Sequence, residues 1–219
     1  SLQQDAKLFI YIHALLMLFR CAFLVIYSGQ LGNAGAEDVA EALWLGARIS
    51  LKTTAFLVGF PFVFGTIPYA LWKKWPAGGI RKILGSVAVG LMTLLFMVRI
   101  PYYEIFHQGF NIMLFNGMKD DRMAIWQTAV QQYQLWPRLF GALALMAFFI
   151  WGLIKFLETP VYYPRHHVRI LDMAAVVMVP VFAVFCRFGG AFHSDSGVPW
   201  ESAARTHYTV LNEAVLDDG

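Results

Sequence analysis

The chain has 219 residues, of which 58% are hydrophobic and 14% are charged, whereas a soluble domain has roughly 45 to 50% apolar and about 25% charged residues. Its 17 basic and 14 acidic side chains leave a formal net charge of only +3, without the dense basic face that a nucleic-acid-binding protein needs. The composition therefore excludes an ordinary soluble domain and a nucleic-acid partner.

Five apolar runs are long enough to cross a bilayer as helices, because about 20 helical residues span a hydrocarbon core about 30 Å thick. They cover approximately residues 8–28, 50–72, 82–103, 136–157 and 169–189. The segments between them are shorter than an independently folding domain. We therefore predict an all-α, polytopic membrane protein with a five-helix transmembrane domain over residues 1–195.

The basic residues of the short loops predict the orientation of these spans, because Lys and Arg are retained on the cytoplasmic side. They lie between spans two and three and between spans four and five, at Lys73, Lys74, Arg81, Lys82, Lys155, Arg165 and Arg169. Both loops follow an even-numbered span, so the two clusters predict the same orientation. The amino terminus is predicted to be cytoplasmic and the carboxy-terminal tail extracytoplasmic.

Two segments on the predicted outer side have amphipathic helical patterns. After Asp120 and Asp121, apolar residues recur on one helical face at Trp126, Ala129, Val130 and Tyr133, and the tail repeats the pattern at Ala204, Tyr208, Leu211 and Val215. Each segment is interpreted either as an interfacial helix in the lipid headgroup region or as a helix packed on the bundle. The first interpretation makes residues 196–219 an outer linker helix.

The sequence offers no recognisable catalytic motif. It contains no metalloprotease helix, nucleotide-binding loop, CxxC pair or GxSxG elbow, so no catalytic residue is assigned. Cys21 and Cys186 lie inside apolar runs, and the spacing of the outer histidines, His107, His193 and His207, matches no ligand pattern. No metal site and no cofactor are assigned to this chain.

Basic residues gather instead at the predicted outer ends of the spans. They are Arg20, Arg48, Lys52, Arg99, Arg138 and Arg187. Glu104 is the only acidic residue at a nearby span end, and a charge that faces lipid tails is costly. The pattern indicates that an anionic partner is missing from this account.

A phospholipid phosphate would supply that partner, because a guanidinium group binds phosphate oxygens with paired hydrogen bonds. The predicted lipid-phosphate-binding residues are Arg99, Tyr102, Tyr103, Arg48, Arg187 and Arg20. The alternative is that these side chains extend to the headgroups as interface anchors, and this alternative is favoured for Lys52 and Arg138.

Three segments resemble the lipoteichoic acid synthase family, and they occur in the family's order. Residues 46–51, GARISL, are similar to its Gly-x-Arg-Phe-Asp-x stretch. Residues 99–121, RIPYYEIFHQGFNIMLFNGMKDD, resemble its Asp-x-x-Tyr-Tyr segment after span three, and residues 198–219, VPWESAARTHYTVLNEAVLDDG, are similar to its linker. Ser50 and Arg99 stand where the family usually has Asp, so no carboxylate site is carried over.

The resemblance implies a bacterial cytoplasmic membrane protein whose five-helix anchor is joined to an extracytoplasmic sulfatase-like domain. That domain, which is absent from this chain, would transfer glycerol phosphate from phosphatidylglycerol with a Thr nucleophile and a divalent metal, Mn, Mg or Zn. The implied partners are an anionic phospholipid and that domain. Two alternatives stay open: the membrane domain of a phosphoethanolamine-type transferase, and a small transporter or scaffold subunit.

Overall fold

Helices form all the regular structure in the part of the chain that the computed structural model describes, residues 2–32, 34–72, 74–107, 109, 135–160, 168–193, 196–198 and 206–216. Within these residues seven α-helices follow one another: α1 (Leu2–Ile26), α2 (Ala36–Pro61), α3 (Ile67–Leu71), α4 (Ala77–Phe106), α5 (Leu135–Glu158), α6 (Val168–Arg187) and α7 (Thr209–Val215). The interfacial helix predicted at residues 120–134 lies outside the described residues.

Four helical segments within the described ranges are long and apolar enough to cross a membrane. They are Leu2–Ile26, Ala36–Leu71, Ala77–Phe106 and Trp136–Glu158. The prediction of an all-α protein is thus confirmed for the described residues, and these four segments are candidates for the predicted spans. The fifth predicted span coincides with α6, of which Met178–Arg187 is apolar, and its passage through the membrane stays a prediction.

The second span is longer than the sequence pattern indicated and contains a change of helix type. It begins at Ala36, where the N–H of Gly35 donates a hydrogen bond of 2.9 Å to the Asp38 carboxylate. Pro61 lacks an N–H and so interrupts the regular hydrogen-bond ladder. The chain passes there into a π-helical segment, Phe62–Thr66, before α3 continues the span.

Helix α1 lies at the centre of the bundle and packs against α2, α4, α5 and α7. Its buried side chains include Leu8, Ile12 and Phe23. Gly85 allows α4 to approach α1 closely, because a Cβ atom at this position would lie 2.9 Å from Leu8 Cδ1. The interior is therefore closely packed and leaves little room for larger residues at such contacts.

Large apolar side chains cover the outside of the bundle. More than half of the side chain is exposed at Phe56, Val87, Leu91, Leu95, Phe148 and Trp151. A soluble monomer rarely exposes so much contiguous apolar surface. Lipid tails are the environment in which such a surface is stable, which agrees with the four candidate spans.

The bundle has two polar ends with different compositions. The end that carries the α3–α4 connection is called the basic-loop end, and the end that carries α7 is called the tail end. Lys74 lies at the first and Ser196 at the second, and both residues are exposed. A membrane-impermeant thiol reagent should therefore label a cysteine at each position from opposite sides of the membrane.

This topology prediction is checked in a background that lacks Cys21 and Cys186. Intact cells should label Ser196→Cys, and Lys74→Cys should react only after the membrane is permeabilised. Equal labelling of the two variants in intact cells would contradict both the span count and the cytoplasmic position of the basic loop.

Candidate functional site

The tail end of the bundle is closed by the short helix α7, which packs against α1 and α2. Val210, Leu211, Ala214 and Val215 are all buried there. A seven-residue helix is unstable by itself, so α7 depends on these contacts. Of the two interpretations of the tail, the described residues favour a helix packed on the bundle.

The turn before α7 is held by a side-chain amide. Asn212 Oδ1 accepts hydrogen bonds from the N–H of Thr206 (3.0 Å) and from its hydroxyl (2.8 Å), and Asn212 Nδ2 donates to the Thr206 carbonyl (2.8 Å). These three bonds fix the direction in which the chain enters the helix.

Arg20 of α1 reaches the carboxyl end of α7 and is fully buried. Its Nε donates a hydrogen bond of 2.7 Å to the Ala214 carbonyl, and its Nη1 donates one of 2.8 Å to the Ser50 hydroxyl. The guanidinium lies against the backbone of α2, so that a Cβ atom at Gly46 would be 2.5 Å from Arg20 Cζ. Only glycine leaves room for this arrangement.

Arg99 of α4 approaches the same end of α7 and is 4% exposed. Its Nη2 donates a hydrogen bond of 2.7 Å to the Glu213 carbonyl and lies 4.0 Å from the Glu213 carboxylate. The guanidinium also lies over the Phe23 ring, 4.5 Å from its centroid, where a cation is attracted to the aromatic face.

The two arginines therefore hold two successive carbonyl groups at the carboxyl end of a helix. The last carbonyls of a helix have no partner within the helix, and the helix dipole places partial negative charge there. Two buried cations are a favourable complement to that charge. The group formed by Arg20, Gly46, Ser50 and Arg99 is called the tail socket.

The neighbouring basic residues also bind backbone carbonyls. Arg48 donates from Nε to the Gly189 carbonyl and from Nη2 to the Ser196 carbonyl, both at 2.6 Å, and Lys52 donates to the Val198 carbonyl at 2.5 Å. Both side chains are half-buried. They fasten the segment that follows α6 to the side of α2.

The structure thus divides the predicted lipid-phosphate-binding residues between different environments. Arg20 and Arg99 meet at α7, Arg48 binds the segment after α6, and Arg187 is exposed. Arg138, which was predicted to be an interface anchor, is exposed and lies 3.8 Å from the Glu104 carboxylate. Binding of a lipid phosphate stays a prediction.

The two tyrosines of the predicted site are buried in the aromatic packing around α4. The Tyr103 ring lies 5.0 Å from that of Phe23 and 4.7 Å from that of Tyr27, and Tyr102 packs against Phe106 at 4.6 Å. These contacts stabilise the wall of the tail socket next to Arg99.

Glu213 is the acidic residue that the sequence interpretation overlooked. Burial raises the pKa of its carboxyl group above the ordinary value, against smaller lowering effects of Arg99 and of the Gly109 N–H. The folded state therefore holds the Glu213 proton more tightly than the unfolded chain does. Burial outweighs the ion pair here, which agrees with the long 4.0 Å distance to Arg99.

This balance predicts a pH dependence. A raised pKa contributes stability that is present at acidic pH and is lost as the pH rises through the raised value. The wild type should therefore lose thermal stability relative to Glu213→Gln when the pH is increased from about 4 to about 8. If the wild type instead gained stability relative to the variant, ion pairing with Arg99 would outweigh burial.

A second buried polar cluster lies at the basic-loop end. Arg81 donates from Nε to the Asp5 carboxylate at 2.6 Å, from Nη1 to Gln4 at 2.6 Å and from Nη2 to the Thr66 hydroxyl at 2.8 Å. The Thr66 hydroxyl in turn donates to Asp5 at 2.5 Å. This cluster joins α1, the π-helical segment and α4, so Arg81 belongs to the bundle interior rather than to a solvated loop.

Within the described ranges, no group of three or more His, Cys, Asp and Glu residues is arranged to hold a metal ion. Comparisons of the sequence with protein-family models, with curated proteins and with solved structures found no match. The candidate site consists of the tail socket and the basic residues beside it, Arg48 and Lys52.

Proposed function

We propose that this chain is the membrane module of a phosphoglycerol-type transferase and that its tail end presents an anionic phospholipid for headgroup transfer. The observation that carries the proposal is the concentration of arginines at this end of the bundle. Two of them, Arg20 and Arg99, are buried, Arg48 is half-buried and Arg187 is exposed. Ionisable residues inside a transmembrane bundle are rare, and they commonly mark a functional site.

The chemistry of arginine supports a phosphate ligand. The guanidinium has five N–H donors in a planar fork that matches phosphate oxygens, and it keeps its charge when it is buried. Arg187 is exposed at the end of α6, and the half-buried Arg48 lies in α2 beside the segment that follows α6. A phospholipid in the adjoining leaflet has its phosphate at that level.

The enzyme class comes from the resemblance to the lipoteichoic acid synthase family. In this proposal five spans place the tail outside the bacterial cytoplasmic membrane, and a sulfatase-like domain outside these 219 residues carries out the transfer with its own divalent metal. The bundle supports that chemistry by holding the tail in one position, because Arg20 and Arg99 fasten α7 to two of the candidate spans, α1 and α4.

The experiment is a headgroup-transfer assay in membranes that contain the complete gene product. Fluorescent phosphatidylglycerol should be converted to diacylglycerol, and phosphatidylethanolamine should not. The double variant Arg48→Gln with Arg187→Gln should lower the rate, whereas Lys74→Gln, which removes a charge at the basic-loop end, should leave it unchanged.

Two other results would contradict the proposal. Diacylglycerol formed only from phosphatidylethanolamine would assign a phosphoethanolamine-type activity. Failure to convert either lipid, in membranes where the protein is folded, would favour a transporter or scaffold.

A further inference from the structure

The carboxyl end of α7 has the chemical properties of a weak phosphate substitute. It presents carbonyl oxygens, which accept hydrogen bonds, and the partial negative charge of a helix terminus. Arg20 and Arg99 donate to these oxygens at 2.7 Å each, and the Glu213 carboxyl group lies 4.0 Å from Arg99, beyond hydrogen-bond distance. A phosphate group offers the same acceptors with a full charge.

We propose that α7 is a competing internal ligand of the tail socket, and that its release opens a binding site for the phosphate of an anionic phospholipid. This inference rests on the proposed function. It makes Arg20 and Arg99 a part of the lipid site that becomes accessible only when α7 leaves. The exposed Arg187 and half-buried Arg48 then receive the headgroup first, and the socket receives it after α7 leaves.

The contacts of α7 make such an exchange energetically feasible. Seven residues cannot keep a helix folded in water, so the helix is held by a few buried side chains and by the two arginines. Release exposes Leu211, Ala214 and Val215 and removes two charged hydrogen bonds. A phosphate restores charge-assisted hydrogen bonds to both guanidinium groups and adds the attraction between its full negative charge and the two cations.

The position of the tail socket favours a lipid over a soluble phosphate. The socket lies between α1, α2 and α4, which are three of the candidate spans. Exposed apolar side chains surround this end of the bundle, for example Val25, Ile26 and Ile105. A ligand that carries acyl chains gains burial against such a surface, whereas a free phosphate does not.

Lipid retention by α7 variants tests the inference. Leu211 is fully buried and makes no hydrogen bond with its side chain, so Leu211→Ala loosens α7 without altering the socket. An apparent affinity is reduced by the fraction of protein that is competent to bind, so loosening should increase binding of phosphatidylglycerol by roughly tenfold. Leu211→Asp should increase it further.

Each variant has a matched control at the exposed Thr209 of the same helix. Thr209→Ala and Thr209→Asp repeat the truncation and the added charge without loosening α7, so they should retain lipid as the wild type does. Adding Arg99→Gln to Leu211→Ala should abolish the gain. Unchanged or reduced retention of phosphatidylglycerol in folded Leu211→Ala would overturn the inference and leave the arginines as permanent caps of α7.

A spin label at Thr209 gives a measurement on the otherwise unaltered protein. In nanodiscs, phosphatidylglycerol should mobilise the label, and phosphatidylcholine should not. Inorganic phosphate added to phosphatidylcholine nanodiscs distinguishes a soluble ligand: mobilisation by phosphate alone would overturn the lipid assignment. An immobile label under every condition would overturn the exchange itself.

These outcomes are separable from those of the headgroup-transfer assay. Transfer from phosphatidylglycerol with an immobile tail and unchanged lipid retention would support the proposed function and refute the gated site. A mobile tail and increased retention without any transfer would support the gated site and refute the transferase.

Discussion

Replacing Arg81 by methionine is expected to destabilise the folded bundle by about 3 to 5 kcal/mol, because it leaves the Asp5 carboxylate buried without its cation. Both side chains are almost completely buried, at 2% and 7% exposure, and their charged atoms are 2.6 Å apart. The substitution also removes donors to Gln4 and Thr66. Equilibrium unfolding in mixed detergent micelles measures the change.

The matched control is Lys82, the next residue, whose ion pair with Glu158 at 2.9 Å is about 40% exposed on both sides. Exposed ion pairs contribute about 0 to 1 kcal/mol, so Lys82→Met should be nearly neutral. The double variant Asp5→Leu with Arg81→Met should be more stable than Arg81→Met alone, because it removes the unpaired charge. Equal effects at Arg81 and Lys82 would show that the buried pair is not held as the structure has it.

Apolar run length was sufficient to predict the helical membrane fold. It could not predict where the second span begins, because the first turns of α2 contain Glu37, Asp38 and Glu41, which lower the local hydropathy. Those residues lie before the apolar part of the span, and they still form a helix. The length of an apolar run therefore indicates how much of a helix can cross the hydrocarbon core, and not how long the whole helix is.

The orientation of the spans is predicted from the charges of the loops, and this prediction counts Arg81 as a residue of a solvated loop. The structure places this residue inside α4 and pairs it with Asp5, which is 76 positions away in the sequence. A positive residue beside a loop and a negative residue near a terminus have no local pattern that connects them. The remaining basic residues of the loop still support the predicted orientation.

The concentration of arginines was predictable, but their partners were not. Counting charged side chains left the outer cations without enough acidic partners, because such a count ignores backbone carbonyls. The hydrogen bonds that supply the missing partners join Arg20 to the Ala214 carbonyl and Arg99 to the Glu213 carbonyl, across 194 and 114 positions of sequence. In the sequence, the helical spacing of the apolar residues Leu211, Ala214 and Val215 was the available sign that the tail packs on the bundle.

Gly46 provides the most direct test of the tail socket. A Cβ atom there would lie 2.7 Å from Arg20 Cδ, 2.5 Å from Cζ and still closer to Nε. Alanine at this position must therefore displace the guanidinium, which breaks its hydrogen bonds to Ala214 and Ser50. Overpacking of about 1 to 3 kcal/mol combined with lost charged hydrogen bonds gives an expected destabilisation of about 3 kcal/mol or more.

The same helix offers a matched control at Gly59, where a Cβ atom would have nothing within 4 Å. Alanine is preferred over glycine in a helix interior by up to about 1 kcal/mol, so Gly59→Ala should be neutral or stabilising. Hydrogen exchange shows which helix loses amide protection in each variant, as well as how much protection is lost. In Gly46→Ala the amides of α7 should exchange faster while those of α4 and α5 stay protected, because Arg20 holds α7 directly. If both alanine variants left α7 equally protected, Arg20 would not be what fastens the tail to the bundle.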